Sequence, residues 1–472
     1  MEKNKNKQGK INIKHLINNN YFWLIVMFLI NFGIMIAFNP KILSSYYLFA
    51  EDGEVFINGF LNKGLSSLFI TYGGYFNFLS RIFAAISVTF ARIFNSVAVL
   101  TMSQKLLSMI FSSFVCTYFV SDTFKSIIKS RTKRIAISLV SLVLISNFAW
   151  LFYNGVSIHW WCGILIFLIS LNILNGELPS YKILPILLIS ILSSPSGLII
   201  AFALGYYLFK KIDFKKSLKH NFEKYSKSEI IKILLLILAL AVQSYAILFL
   251  TDVNTIVKPQ LTIDRIGNLL YYSYLLSISS VNFLFGSLGY LRLANVGLNT
   301  IFGILLWISI LYFAERNGKL KYFLFGLGSI FFLYFMINYK NDDFVTYYQE
   351  MISTSYQIWY HALPAIIAFF TFCICITSNG DFKTPVVQYA ILLFVLISTI
   401  TCVNHPELNT AKQLEKVSKY VDYSSKQYVH IKISPDFLNW YVTVPVKKEY
   451  CEVNDCVSKV QESSKISSSR RK

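Results

Sequence analysis

Apolar residues arrive along this chain in blocks. Tyr21 to Phe38, Val99 to Val120, Ile135 to Phe152, Ile230 to Leu250, Leu298 to Phe313, Tyr322 to Ile337, Ile358 to Ile376 and Val386 to Cys402 are long, and each nearly lacks charge. The hydrocarbon core of a bilayer takes roughly 20 such residues per helix. Shorter blocks behave alike: Cys162 to Leu174, then Ile183 to Leu192 and Leu198 to Phe209, the last two separated by Ser193-Ser194-Pro195-Ser196-Gly197. The pattern predicts an all-α polytopic membrane protein with about eleven transmembrane helices.

Two other stretches carry a different periodicity. In Gly53 to Lys63, Glu54, Asn58 and Asn62 recur four apart, opposite Phe56, Ile57 and Phe60. In Tyr75 to Asn95, Asn77, Arg81, Ala84, Arg92 and Asn95 fall on one stripe. Both read as juxtamembrane helices that lie in the interface plane or line a polar cavity. After Asn404 the chain turns polar. Leu414, Val417 and Val421 suggest a short helix, Val429, Ile431 and Ile433 alternate like a strand, Pro435-Asp436 marks a turn, and Tyr441 to Val444 pairs back.

Composition agrees: 55% of residues are hydrophobic and only 14% charged, below what a soluble surface carries. The net charge of +20 resides in clusters between blocks: Lys3 to Lys14, Lys125 to Arg134, Lys210 to Lys232, and Arg316 to Lys321. Basic residues in short connections mark the cytoplasmic side, so this charge sets topology and does not point to nucleic acid. Residues 1–20 are then cytoplasmic. No small-x-small site follows Phe38, so the first block reads as an uncleaved signal anchor. Because Lys125 to Arg134 must be inside, one crossing separates it from Phe38, and 39–98 becomes an outer loop. The membrane domain runs over 21–402, with a second outer loop at 251–295. Residues 403–461 form a small extracytoplasmic cap, and 462–472, rich in serine and basic residues, a disordered tail. The expected location is a bacterial inner membrane, N-terminus inside and C-terminus outside.

Five of the seven cysteines lie in or beside apolar blocks, where packing is their ordinary role. Cys451 and Cys456 lie in the tail, where an outer location makes a disulfide plausible. The cytoplasmic connections hold no glycine-rich phosphate cradle. Polar chemistry concentrates on the outer side: Glu51, Asp52 and Glu54, then Tyr72 and Tyr75, His159 and Trp160, Lys258, Arg265 and Arg292, Asp342 and Asp343, and His361.

The run Phe49-Ala-Glu-Asp-Gly-Glu-Val-Phe56, followed by Gly64, Ser66 to Phe69, Tyr72-Gly-Gly-Tyr75 and Arg81, resembles the first outer loop of GT-C-type membrane glycosyltransferases. The nearest branch modifies envelope polysaccharide and O-antigen and includes the serotype-converting glucosyltransferases. Later matches are Ser194-Pro195 before Gly197, Tyr360-His-Ala-Leu-Pro364, and a tail with Pro435 and Trp440; Trp359 stands where the family often has arginine. The resemblance implies a GT-C-like fold and a sugar carried on polyprenyl phosphate, transferred on the outer face to a glycan or lipid-linked acceptor among membrane lipids. A sugar hydroxyl is a weak nucleophile, so a carboxylate takes its proton as C1 is attacked, and a single displacement inverts that centre. Asp52 is expected as base, Glu51 second, and Glu54 as orienting partner or metal ligand. Arg81, Lys258, Arg265 and Arg292 are the cations for the leaving phosphate, and a divalent ion (magnesium or manganese) is a candidate cofactor. Tyr72, Tyr75, His159, Trp160 and His361 are candidate sugar contacts. Rival readings are a polysaccharide polymerase or lipid-linked glycan flippase, and a non-enzymatic assembly protein. A flippase favours charges within the spans and paired repeats, and no repeat of fixed period is present.

Overall fold

A computed structural model describes residues 19–43, 46–146, 149–213, 223–250, 262–285, 296–339, 361–377, 412–433, 440–458 and 460. In chain order the helices are α1 (Asn20–Phe38), α2 (Asn58–Lys63), α3 (Phe78–Phe94), α4 (Val97–Tyr118), α5 (Arg131–Ser146), α6 (Ile158–Leu174), α7 (Leu184–Ile191), α8 (Ile199–Lys211), α9 (Lys227–Phe249), α10 (Ile263–Ser279), α11 (Val296–Arg316), α12 (Leu320–Tyr339), α13 (Ala362–Ile376), α14 (Lys412–Val417) and α15 (Lys448–Cys451). Two antiparallel hairpins accompany them: β1 (Thr71–Tyr72) with β2 (Tyr75–Phe76), and β3 (Tyr428–Ile433) with β4 (Trp440–Pro445).

The chain is mostly helical. Among the described residues five helices are long and apolar enough to cross a membrane: Asn20–Phe38, Val97–Phe124, Lys227–Phe249, Gly297–Arg316 and Leu320–Tyr339. The pair Leu184–Ile191 and Pro195–Lys211, bent by 117°, makes a sixth if counted as one span. Helices α6 and α13 are apolar but shorter. The eleventh expected crossing, Val386 to Cys402, lies outside the described residues, as does the tail 462–472.

Helix starts follow ordinary capping chemistry. Asn19 Oδ1 accepts from Tyr21 N (2.8 Å) at α1, and Ser226 with Glu229 forms a reciprocal box at α9. Asn95, in the left-handed region at φ +46°, ends α3, and Ser96 opens α4.

The basic turns gather at one end of the bundle. Lys319 Nζ donates to Ile127 O (2.8 Å), Lys321 Nζ to Asn175 Oδ1 (3.2 Å), and Asn317 Nδ2 to Cys375 O (2.8 Å). Arg134 also has a packing role: it is 1% exposed and donates to Val120 O, Ile128 O, Lys129 O and Asp122. Buried guanidinium is tolerated when satisfied in this way.

Residues 46–97 pack at the opposite end, and here the structure corrects the surface-helix expectation. Glu54 and Asn58 do not share a solvated face; they are 5% and 4% exposed. The tail hairpin covers them. Asn58 Oδ1 accepts from Thr443 N (2.8 Å), Asn95 Oδ1 accepts from Tyr423 N (2.9 Å), and Val55, Phe56 and Ile57 share a core with Ile433, Val442 and Val444. Each buried aliphatic side chain contributes about 1.5–3 kcal/mol, against about 1 kcal/mol for a hydrogen bond, so apolar burial holds the cap. The stripe of α3 is likewise turned inward: Arg81 and Ala84 are buried, while Phe90, Ile93 and Phe94 are exposed. A cysteine bridge, Cys451–Cys456, closes the cap's last turn.

Gly53 shows how close the cap lies. A Cβ there would fall 2.9 Å from Val442 Cβ and 2.5 Å from Ile433 Cδ1. Gly53→Val is therefore expected to unseat the hairpin at about 1–3 kcal/mol of overpacking. Limited proteolysis, reading release of the C-terminal fragment, should show faster cleavage than in the wild type.

Of the expected outer loop 251–295, residues 262–285 are described, and they hold α10. Helix α10 packs along α11 and α12, and Ser277 O accepts from Trp307 Nε1 (3.3 Å) deep in α11. Asn338 Nδ2 donates to Ser273 Oγ (3.1 Å) and Asn282 Nδ2 to Asn299 O (2.9 Å), contacts that help a sequence of mixed polarity to enter the bundle.

Candidate functional site

The approach to the acids is strained. Ala50 has φ +37°, a region costly for a residue with a Cβ, and is 3% exposed. From it the chain enters a π-helical turn, Asp52–Ile57, which continues into α2.

Asp52 is 1% exposed, and both its oxygens are engaged. Oδ2 accepts from Gly155 N (3.1 Å) and Oδ1 from Val156 N (2.7 Å). That turn, which opens α6, is itself fixed: Ser80 Oγ of α3 donates to Gly155 O (2.8 Å), and Ser157 N donates to Asn154 Oδ1 (2.8 Å). Position 155 requires glycine, because a Cβ would press into the Gln104 amide and lie 3.2 Å from Asp52 Oδ1. Gln104 has little room to yield; it is 1% exposed, and its Oε1 accepts from Ser87 Oγ (3.0 Å).

Glu51, half-buried, accepts from Tyr72 Oη (3.3 Å), and Tyr72 stands edge-on to Phe56 with centroids 6.2 Å apart. The β1–β2 turn is Gly73-Gly74, both at positive φ, as a two-residue hairpin favours. It carries Tyr75 to the ring of His159 (6.3 Å). His159 Nδ1 hydrogen-bonds Val156 O, and its ring lies 4.5 Å from that of Trp160. Glu51, Asp52, Tyr72, Tyr75, His159 and Trp160 thus form one neighbourhood linked through Val156.

Burial is the main cause that pushes the Asp52 carboxyl from its ordinary 3.8 up to about 8. The Gly155 and Val156 N–H groups oppose it, nearby Glu51 adds to it, and Gln104 opposes it weakly. Glu51 is also raised, chiefly by burial, with its backbone hydrogen bond and Tyr72 working against and Glu54 adding. Between pH 3.8 and about 8 the folded state keeps a proton on Asp52 that the unfolded state has released. Stability should therefore fall as pH rises through that window. Thermal unfolding in detergent should show this slope, and Asp52→Asn should flatten it.

Other expected residues sit elsewhere. Glu54 is buried in the segment beneath the cap. Arg81 lies under the acidic segment, its guanidinium 5.4 Å from the Phe56 ring and against Gly59. Arg265 is on the first turn of α10, and His361, 0% exposed, shares a hydrogen bond with Tyr334 Oη of α12 (2.7 Å). Lys258, Arg292, Asp342, Asp343, Trp359, Tyr360 and Pro435 lie outside the described residues. Among the described residues no three His, Cys, Asp or Glu side chains converge to hold a metal.

Sequence reading missed Gln104 and Gly155, which touch Asp52, and Lys105, a charge 0% exposed within α4. Lys105 carried a signal, since an ionisable residue inside an apolar block marks function by default. No protein-family profile, curated protein or solved structure matches the chain.

Proposed function

We propose that this chain is a GT-C-type glycosyltransferase of a bacterial inner membrane, with about eleven spans, its N-terminus in the cytoplasm and the cap outside. It moves a sugar from a polyprenyl-phosphate carrier to an envelope glycan or lipid-linked acceptor. One observation supports this most: two adjacent carboxyl groups are fixed at the bundle end opposite the basic turns, between an aromatic hairpin and the start of a membrane helix. A lipid-borne donor needs a site at that boundary.

Within the pair the geometry favours an order opposite to the sequence expectation. Both Asp52 oxygens hold backbone N–H groups and the side chain is sealed, so Asp52 positions the turn. Glu51, half-buried and accepting a hydrogen bond from Tyr72 Oη, is the base. The acceptor hydroxyl gives its proton to Glu51 as its oxygen bonds to C1. The C1–O bond to phosphate breaks, and its electron pair leaves with the phosphate monoester, inverting C1. Tyr75, His159 and Trp160 offer ring faces and edges for the sugar.

Mass analysis of envelope glycans from cells with and without the protein tests this. Loss of one branch sugar at unchanged chain length is expected. Shortened chains indicate a polymerase, and unchanged glycans contradict the proposal.

A further inference from the structure

Helix α9 touches the bundle along one narrow stripe, Ile233, Leu236, Ala239, Gln243 and Ala246. Beside that stripe Leu238, Tyr245 and Phe249 are exposed, as suits a helix facing hydrocarbon. Gln243 breaks the apolar run. It is 0% exposed, its Oε1 accepts from Phe76 N (3.4 Å), and its Nε2 has no hydrogen-bond partner among the described residues.

A buried donor left unmade is costly, and hydrocarbon supplies no water to compensate it. The place of this donor matters. Phe76 follows Tyr75, whose ring meets His159, and α9 packs on both β2 and the turn Pro195–Leu198. Ser194 and Ser196 of that turn are each 1% exposed. The donor therefore lies where the aromatic hairpin, the tip of the bent pair and a lipid-facing helix meet.

We infer that Gln243 is a ligand-binding residue that donates from Nε2 to a phosphoester oxygen of a long-chain amphiphile lying along α9. The missing partner must be an acceptor, which oxygen of a phosphoester supplies. An exposed apolar ridge on the same helix suits the chain of such a molecule. Two sources share this chemistry, a polyprenyl phosphate and a bilayer phospholipid. The assignment to a polyprenyl phosphate rests on the proposed glycosyltransfer.

The test uses the full chain in phosphatidylcholine nanodiscs, titrated separately with a long-chain polyprenyl monophosphate and with phosphatidylglycerol at pH 8. Gln243→Met removes the donor at nearly constant volume, and Gln243→Ala removes it and empties the space. Roughly tenfold weaker binding of polyprenyl phosphate is expected for both variants, with a melting temperature near the wild type's for Gln243→Met. Wild-type affinity in Gln243→Met means a purely structural role and overturns the inference. Equal loss for phosphatidylglycerol supports the site and assigns it to bilayer headgroups. Wild-type protein that binds neither amphiphile overturns this inference; if the branch sugar still depends on the protein, the transferase reading survives.

Discussion

Glu51→Gln is expected to abolish the glycan modification while the protein reaches its normal membrane level. The substitution is nearly isosteric, and its amide oxygen still accepts from Tyr72 Oη, the contact seen for Glu51 at 3.3 Å. What it removes is the capacity to take a proton from the acceptor hydroxyl. A positioned base contributes about 10²–10⁴-fold, so the loss should exceed any effect of altered packing. Branch-sugar abundance in complemented cells reads the outcome. Full modification by this variant, together with none by Asp52→Asn, returns the role of base to Asp52.

Asp52→Ala should have the largest effect on folding. It strips acceptors from Gly155 N and Val156 N, now held at 3.1 and 2.7 Å, and opens space in a sealed site. A buried donor left unsatisfied costs about 1–3 kcal/mol, so two cost roughly 2–6 kcal/mol. That exceeds the value of any single packing contact there. Asp52→Asn keeps one acceptor and should fall between alanine and wild type. Thermal unfolding in detergent and membrane abundance measure the series. An alanine variant that melts with the wild type means the two backbone hydrogen bonds contribute nothing net.

The membrane blocks were legible because hydropathy is local. Tyr21 to Phe38 became Asn20–Phe38, and Val99 to Val120 overlies Val97–Tyr118. The tail strands were legible too, since Val429, Ile431 and Ile433 alternate and Tyr441 to Val444 does pair with them. Tyr72-Gly-Gly-Tyr75 was a readable hairpin signal that passed as a motif only. Burial of Glu54 and Asn58 was not legible. A polar stripe at helical spacing looks the same whether water or a hairpin from residues 440–445 covers it, and that partner is hundreds of positions away. The clamp on Asp52 was hidden for a related reason: it uses backbone N–H groups, which every residue but proline carries and no sequence pattern marks. Glu51 and Asp52 were found by residue type, and only contacts could rank them.

The proposed transfer requires residues 46–97 and the cap to face the exterior while the basic turns face the cytoplasm. Asn62 and Ser424 are exposed at one end and Ser126 at the other, so single cysteines at these positions can report on the two sides. In intact cells, with native thiols blocked or replaced, a membrane-impermeant maleimide should label Asn62→Cys and Ser424→Cys at once and Ser126→Cys only after permeabilisation. Labelling of Ser126→Cys in intact cells, with Asn62→Cys protected, would place the carboxylates inside and contradict the account.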